Sequence, residues 1–241
     1  MAAEPVVVSL HIDAPPDVVF DCFCDPAALD TWMGDRAELD PRPGGSFAVD
    51  IDEMAVRGEF TVVERPTRLV FSWGYAGTDV TPGASTVEVT LTEDRGGTEL
   101  TLVHRDLPLS EISTHTTRWN RFLPRLAAVA SDPTTRFGAL VDAFAGNPDI
   151  TPPEDVFARG RKFGSNALKV NNKIFAMLRQ DRLVVKLPGE RVEALVGTGH
   201  GERMVSGGGR VMSEWLVLDK ASGEDWTALA REACEFVARE A

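Results

Sequence analysis

The chain has 241 residues and a formal net charge of −12, with hydrophobic residues making up 43% and charged residues 26% of it. This composition supplies one large core or two small ones and excludes a disordered or fibrous chain. No apolar run reaches the roughly 18 to 20 residues that span a bilayer, the N-terminal stretch lacks a basic region, and three cysteines are too few for a disulfide framework. We therefore expect a soluble, cytoplasmic protein without a secretory signal.

The charge is divided unevenly along the chain. Residues 1–130 contain 10 basic and 21 acidic side chains, a net charge of −11, whereas residues 131–241 contain 15 and 16, a net charge of −1. Every lysine also lies in the second segment. This difference predicts two domains, 1–130 and 131–241. A strongly negative first domain would repel a phosphate backbone, which argues against nucleic acid as its partner.

The first domain begins with a predicted strand over 5–13 and two short helices, one opened by Pro15-Pro16-Asp17 and one running from Leu29 to Trp32. Apolar residues then alternate with polar ones in five runs, Phe47–Ile51, Val56–Val62, Leu69–Trp73, Val87–Leu91 and Leu100–His104. Short strands of period two, separated by tight turns, predict an antiparallel meander with one apolar face.

A long amphipathic helix over 110–130 is predicted to cover that face. Ser110 and Ser113 can cap its start, and Pro124 should kink the helix or end its first half. The order of strand, two short helices, meander and long helix predicts a helix-grip fold, in which a curved antiparallel sheet surrounds a long C-terminal helix.

Residues 131–241 are predicted to form a smaller α+β domain. A helix begins at Asp132-Pro133, and strands follow with tight turns at Asn171-Asn172 and Gln180-Asp181. Asparagine pairs suit two-residue hairpins because asparagine tolerates positive φ. A short helix after Pro188, a strand at Met212–Leu218 and an amphipathic helix over 225–241 complete the domain.

The inward positions of the first domain predict a cavity for a small hydrophobic or aromatic molecule. The predicted ligand-binding residues are Trp32, Phe47, Phe60, Trp73, His104, His115 and Trp119. Ligand pockets are mainly apolar with a few placed polar groups, which the two imidazoles would supply. The competing interpretation is that these rings simply fill the core. No catalytic residue, metal site or cofactor is predicted, since no carboxylate is placed beside His104 by the sequence.

Other motifs have plainer interpretations. Cys22 and Cys24 on the first helix point about 200° apart and cannot chelate one ion, so they are read as buried cysteines. The glycine-rich segments 197–201 and 206–210 are interpreted as connections, because the first follows a helix and the second lacks the P-loop lysine. The basic cluster around residues 159–173 is interpreted as a solvated surface rather than a nucleic-acid footprint.

The first domain resembles the C-terminal domain family of Hsp90-ATPase activators (AHSA1-like) within the START-like, SRPBCC superfamily. The matching motifs are Ala14-Pro15-Pro16-Asp17-Val18-Val19-Phe20, Leu29-x-x-Trp32, Arg42-Pro43-Gly44-Gly45-Ser46-Phe47, Gly58-Glu59-Phe60, Arg68-Leu69-Val70-Phe71-Ser72-Trp73, Ser85-Thr86-Val87-x-Val89-x-Leu91, Gly97-Thr98-x-Leu100-x-Leu102-x-His104 and Trp119. The resemblance implies a helix-grip fold more than a reaction, because ligand carriers, polyketide cyclases and co-chaperone pieces share it.

The second domain resembles the small TfoX N-terminal and YjbR-like domains. The matching stretches are Phe163-Gly164, Leu168 to Leu178, Leu183 to Pro188, Arg210-x-Met212-x-Glu214-Trp215 and the helix with Trp226. We expect a non-enzymatic binding protein whose second domain mediates interaction, with a small hydrophobic molecule and a protein as partners and no membrane. The alternatives are a cyclase or hydrolase that uses His104 or His115 as a base, and a co-chaperone of an Hsp90-like ATPase. The ligand and the oligomeric state stay open.

Overall fold

A computed structural model describes residues 4–153, 167–220 and 222–239 of the chain. The chain divides into two compact units, Met1–Ser131 and Asp132–Ala241. Part of the predicted basic cluster, Arg159 to Lys162, and the Phe163-Gly164 motif lie outside the described residues. Within the described ranges, no helix combines the length and the apolar character that crossing a membrane requires.

The first unit is an α+β fold with one seven-stranded antiparallel sheet. Its elements are β1 (Val6–Ile12), α1 (Pro16–Cys24), α2 (Pro26–Trp32), β2 (Arg36–Leu39), β3 (Ser46–Ile51), β4 (Met54–Glu64), β5 (Arg68–Trp73), β6 (Ser85–Asp94), β7 (Gly97–Arg105) and α3 (Ile112–Ala130). The strand order is β1-β7-β6-β5-β4-β3-β2. The predicted meander is therefore confirmed for β3 to β7, and β1 adds to the sheet beside β7.

Alternation decides which side of this sheet is buried. In β3, Phe47, Val49 and Ile51 are at most 3% exposed, whereas Ala48 and Asp50 between them are partly exposed. Successive side chains of a strand point to opposite faces, so one face carries the core and α3 packs over it. Strand β2 was not predicted, because its alternation of charged and apolar residues extends over only four residues and includes a single buried side chain.

Helix α3 corrects one expectation and decides against one alternative of another. Its N-cap is Glu111, which makes no side-chain capping bond, so the predicted serine cap is wrong. The helix continues through Pro124 to Ala130, so of the two predicted effects of the proline, a kink or an end, the end is wrong. Pro124 and Asn120, whose carbonyl the proline cannot bond, are both exposed. Water can satisfy that carbonyl, which makes the proline tolerable in this position.

The second unit holds a six-stranded antiparallel sheet with strand order β12-β13-β11-β10-β9-β8. Its elements are α4 (Pro133–Asp142), β8 (Ile150–Thr151), β9 (Ala167–Val170), β10 (Lys173–Arg179), β11 (Arg182–Lys186), α5 (Gly189–Gly197), β12 (Gly201–Val205), β13 (Val211–Leu218) and α6 (Trp226–Arg239). Both predicted hairpin turns have positive φ at their two central residues, at 49° and 61° and at 52° and 59°. Strand β12 lies between the two glycine-rich segments and was missed, since it contains one buried side chain.

Candidate ligand-binding site

All seven residues predicted to line the site are buried, with at most 2% of each exposed. Six of them form one connected cluster of rings, Phe47, Phe60, Trp73, His104, His115 and Trp119. Trp32 lies apart from the described ring contacts of that cluster. It contacts the edge of Phe23 at 5.1 Å, and its indole nitrogen donates to the carbonyl oxygen of Cys22 at 3.0 Å. Trp32 therefore ties α2 to α1.

Trp73, near the end of β5, is the centre of the cluster. Its ring centroid lies 5.4 Å from that of Trp119, 5.9 Å from that of His104 and 6.0 Å from those of Phe47 and Tyr75. Aromatic pairs at 4.5–7 Å are in favourable contact. The inner face of the sheet and α3 therefore contact each other directly through Trp73 and Trp119. Other side chains form the two ends of the ring cluster.

His104 is held by a continuous chain of hydrogen bonds. The indole nitrogen of Trp119 donates to its Nδ1 at 3.1 Å, so Nδ1 carries no proton. Its Nε2 lies 2.9 Å from Oγ of Ser85, and that hydroxyl donates to the carbonyl oxygen of Trp73 at 2.9 Å. Nε2 must therefore carry the proton. Both nitrogens of this neutral imidazole are engaged, and the chain of bonds joins α3 to β7, β6 and β5.

The protonation state agrees with this bonding. Burial, and in second place the nearby His115, lower the pKa of His104 from 6.5 to about 3. The two rings meet edge to face at 4.9 Å, so neither can carry a charge without penalising the other. Burial also lowers the pKa of His115. At neutral pH both histidines are uncharged.

A second network surrounds His115 at one end of the cluster. Its Nδ1 donates to the backbone oxygen of Glu111 at 3.0 Å, so Nε2 is free to accept from the Tyr75 hydroxyl at 3.3 Å. Arg118 donates to the same hydroxyl oxygen at 2.9 Å and lies 5.6 Å above the tyrosine ring. Its other terminal nitrogen lies 3.1 Å from the sulfur of Met54. This network connects α3 with the residues that follow β5.

Sequence reasoning missed Tyr75, Ser85 and Arg118. A signal existed for the first two, because the inward alternation of Leu69, Phe71 and Trp73 continues to Tyr75, and that of β6 begins at Ser85. Both are buried, at 4% and 0% exposed. Arg118 precedes Trp119 on a helix and gave no comparable signal. It is partly buried because it lies across the tyrosine ring.

The indole nitrogen of Trp73 is buried and has no hydrogen-bond partner among the described residues. The ring of Tyr75 lies beside this indole with 6.0 Å between the centroids, and burial raises the pKa of the Tyr75 hydroxyl. An unpaired buried donor costs about 1–3 kcal/mol, which makes it exceptional in a folded core.

Gly74 fixes the segment between β5 and β6 against this end of the site. A Cβ atom at Gly74 would lie 1.8 Å from the backbone oxygen of Thr81, so only glycine allows the two backbones to approach. The amide of Tyr75 donates to the carbonyl of Val80 at 2.6 Å. The close approach at Gly74 thereby positions Tyr75.

Features elsewhere in the first unit are less suited to a ligand. Burial raises the pKa of both Cys22 and Cys24 to about 12, so these thiols are inert at neutral pH. Within the described residues, His11, Asp94 and Glu99 are the group that places three potential metal ligands within 4.8 Å of one another. Asp94 is already paired with Arg95 at 2.9 Å.

A polar depression on the outer face of β2 to β4 lies away from the ring cluster and is lined by Arg36, Glu38, Ala48, Asp50 and Arg57. Its charges neutralise one another, since Arg36 pairs with Glu38 at 2.6 Å and Arg57 with Asp50 at 2.8 Å. The ring cluster is therefore the stronger candidate site in this unit.

Three known proteins are similar to part of this chain. An uncharacterized protein of Schizosaccharomyces pombe is 29% identical over 101 residues, which are 41% of this chain and 29% of that protein, so the chain spans less than a third of this curated relative. An AHSA1-like protein from Rhizobium etli, solved by NMR, is 38% identical over 54% of this chain and 86% of its own, with a TM-score of 0.44. A protein from Mesorhizobium loti is 23% identical over 52% of this chain and 96% of its own, with a TM-score of 0.49.

The family assignment follows from the sequence match itself. Residues 13–131 match the family model described as activator of Hsp90 ATPase homolog 1-like protein. The matched range extends from the residue after β1 to the residue after α3, and it contains the whole ring cluster. The N-terminal part of the chain, residues 13–131, therefore belongs to the AHSA1-like family.

Proposed function

We propose that the first unit is a non-enzymatic binding protein, which holds a small hydrophobic or aromatic molecule between the inner face of its sheet and α3. The observation that carries the proposal is the buried indole N–H of Trp73, which has no partner among the described residues. An acceptor atom on a bound molecule would remove the penalty of leaving this donor unpaired. Apolar rings surround the same indole, which is the lining that small-molecule pockets have.

The contacts among these rings limit where a ligand can enter. Trp119 is anchored to His104, which is anchored in turn to Ser85, so the middle of α3 is fastened to the sheet. The end near Tyr75 is fastened by one buried bond, from the Tyr75 hydroxyl to His115 at 3.3 Å, and by a bond of 2.9 Å from the partly buried Arg118. Entry beside Tyr75 disturbs fewer buried hydrogen bonds than separation of Trp73 from Trp119 does.

The experiment compares ligand binding in two tryptophan variants of the whole chain. Trp73→Phe removes the unpaired N–H and keeps an aromatic ring, and Trp32→Phe is the matched control because its N–H already donates to Cys22. The panel contains naphthalene, 2-naphthol, 2-naphthoate and 2-naphthamide, measured by thermal shift and by native mass spectrometry.

A compound at 100 times its Kd adds about 2.7 kcal/mol to stability, which raises Tm by several degrees. We expect this shift in the wild type and in Trp32→Phe, and a smaller one in Trp73→Phe for the compounds that carry an acceptor. A panel that leaves both Tm and the native mass unchanged would show the binding proposal to be wrong.

An enzyme of the cyclase or hydrolase type is the second candidate, with His115 as its base. The carboxylate of Glu111 lies 3.9 Å from Nδ1 of His115, whereas the hydrogen bonds of His104 go to Ser85 and Trp119. A general base needs a free nitrogen within reach of substrate and a pKa near neutrality, and the lowered pKa of His115 disfavours this role. Ester hydrolysis that is lost in His115→Gln would favour the enzyme.

A co-chaperone role is the third candidate, and it is supported by the description of the matching family alone. The direct measurement is the ATPase rate of a purified Hsp90 homologue with and without the whole chain. An unchanged rate and no complex on gel filtration would exclude this candidate and leave the binding proposal intact.

For the second unit we propose a TfoX N-terminal or YjbR-like domain that mediates interaction with a protein. Helices α4, α5 and α6 pack on one core of its sheet, in agreement with a small α+β domain. A second apolar cluster, Ala167, Met177, Val184 and Met204, is flanked by the partly buried Trp215. The test is copurification of a partner protein from the native host. A partner that copurifies with the wild type but not with Trp215→Glu would support the proposal, and a partner that copurifies equally with both would oppose it.

A cytoplasmic location is proposed from cysteine usage. Cys22, Cys24 and Cys234 are all free, which suits a reducing compartment. Fractionation of cells that produce the tagged chain tests this, and recovery outside the cytoplasmic fraction would contradict it.

A further inference from the structure

Arg118 differs from most arginines of the first unit in having no carboxylate partner. Eight of the ten arginines there have a carboxylate oxygen within 4.0 Å, and these are Arg36, Arg42, Arg57, Arg65, Arg68, Arg95, Arg105 and Arg121. Among the described residues no carboxylate lies that close to Arg118. Its guanidinium contacts the hydroxyl and ring of Tyr75 and the sulfur of Met54.

This lack of a counter-charge is unusual for its surroundings. The first unit holds 21 acidic side chains in residues 1–130, so a carboxylate is common near any basic group. Arg125, which also has no such partner among the described residues, is exposed, whereas Arg118 is partly buried. A guanidinium that loses water gains most from a charged acceptor, because charge-assisted bonds are about twice as strong as neutral ones. Arg118 is thus ready to bind an anion.

Two polar side chains meet at the Tyr75 hydroxyl. Arg118 donates to this oxygen, and the hydroxyl itself donates to Nε2 of His115. The ring of Trp73, whose N–H has no partner among the described residues, lies against that of Tyr75 with 6.0 Å between the centroids. A ligand oxygen that enters here meets the charged donor of Arg118. Glu111 is the acid next to His115, and it does not come within 4.0 Å of Arg118.

We infer that the ligand of the first unit is an organic anion with an aromatic body, whose carboxylate or similar group binds Arg118 at the Tyr75 end while the ring lies against Trp73. This inference rests on the proposed binding function and specifies its ligand class. The anionic group has the guanidinium of the partly buried Arg118 at the Tyr75 end of the cluster. The ring has the apolar interior.

The test uses 2-naphthoate and 2-naphthamide, which have the same ring system and differ in charge. Titration of the whole chain by calorimetry should give the wild type at least a 10-fold preference for naphthoate. Arg118→Gln should weaken naphthoate binding about 10- to 100-fold, the range expected for a hydrogen bond to a charged group, and change naphthamide binding less than about 3-fold.

The matched control is Arg121→Gln, one turn along α3. Its guanidinium lies 5.3 Å above Phe122 and 3.9 Å from Asp52, so it already has a counter-charge. This variant should leave both affinities unchanged. If Arg118→Gln does not fold, the wild type alone decides the matter, because raising NaCl should weaken naphthoate binding and spare naphthamide binding.

Two results overturn the inference and are distinguishable from each other. Equal affinity of the wild type for both compounds, or an equal loss of both in Arg118→Gln, refutes the anion specificity and leaves the binding function standing. Failure of naphthoate, naphthamide and the rest of the panel to bind refutes the binding function, and the anion specificity with it.

Discussion

The stability of the first unit should fall between pH 7 and pH 5 because of His104. The pKa of this residue is about 3 in the folded chain and 6.5 when it is unperturbed, so the unfolded chain binds more protons in that interval. Stability from a depressed pKa is complete above the unfolded value and is lost as pH falls toward the folded one. At 1.36 kcal/mol per pKa unit, the loss from His104 reaches about 2 kcal/mol at pH 5. The lowered pKa of His115 acts in the same direction.

The perturbation that isolates this contribution is His104→Asn. Asparagine does not titrate, and its side-chain oxygen can accept the indole N–H of Trp119 in place of Nδ1. Urea unfolding at pH 5, 6 and 7, followed by tryptophan fluorescence and circular dichroism, should show about 2 kcal/mol less pH-dependent loss in the variant than in the wild type.

The control is Thr114→Asn, which introduces the same amide at an exposed position of α3 and removes no titratable group. It should follow the wild-type fall between pH 7 and pH 5. If His104→Asn also loses as much stability as the wild type, then His104 is not the buried neutral residue inferred from its hydrogen bonds, and the reasoning is refuted.

Three further substitutions test the packing. Ser85→Ala should cost about 1–3 kcal/mol by urea unfolding, since it leaves the Nε2–H of His104 buried and unpaired, and an unchanged midpoint would contradict the bonding described. Gly74→Ala should lower Tm, because the new Cβ would meet the backbone oxygen of Thr81 at 1.8 Å and overpacking costs about 1–3 kcal/mol. Gly138→Ala should raise the stability of α4 by up to about 1 kcal/mol, because the new Cβ meets nothing within 4 Å. A lower Tm in this variant would contradict the expected difference between the two glycines.

The meander of the first unit could be predicted from the sequence because its strands obey a strict alternation. Phe47 and Trp73 occupy positions whose neighbours are more polar, and His104 continues the period of Leu100 and Leu102, so the burial of all three follows from period two. The hairpin at Asn171-Asn172 was equally predictable, since few residue pairs accept positive φ twice in succession.

Other features depend on tertiary contacts that no local pattern encodes. Strands β2 and β12 each pair with a neighbouring strand. Their own alternation extends over only four and five residues, with one buried side chain in each, which is too short to predict a strand. Helix α3 begins after its N-cap, Glu111, and continues through Pro124. Both features depend on which backbone groups remain exposed to water. Local propensity is therefore overridden at these points by pairing and solvation.

The candidate site was predicted in its residues but not in its bonding. His104 and Trp119 were expected to face the interior, and both are buried there. The hydrogen bond from Trp119 to His104, and the bond from His104 to Ser85, depend on distances across three strands and a helix. The sequence does not give these distances. Arg118 could not be recognised from the sequence, because its distinguishing property is the absence of a nearby carboxylate among the described residues.

The link between Trp119 and His104 constrains how relatives of this chain can diverge. Replacing Trp119 alone leaves Nδ1 of His104 buried without a donor, and replacing His104 alone leaves the indole N–H of Trp119 buried without an acceptor. Replacing both by apolar side chains of similar volume can be nearly neutral in stability. We therefore expect the residues at positions 104 and 119, which are 15 residues apart in the chain, to be substituted together among homologues. A homologue with an aliphatic residue at one of these positions and the histidine or tryptophan at the other would need a new hydrogen-bond partner, or a water molecule, for the ring that remains.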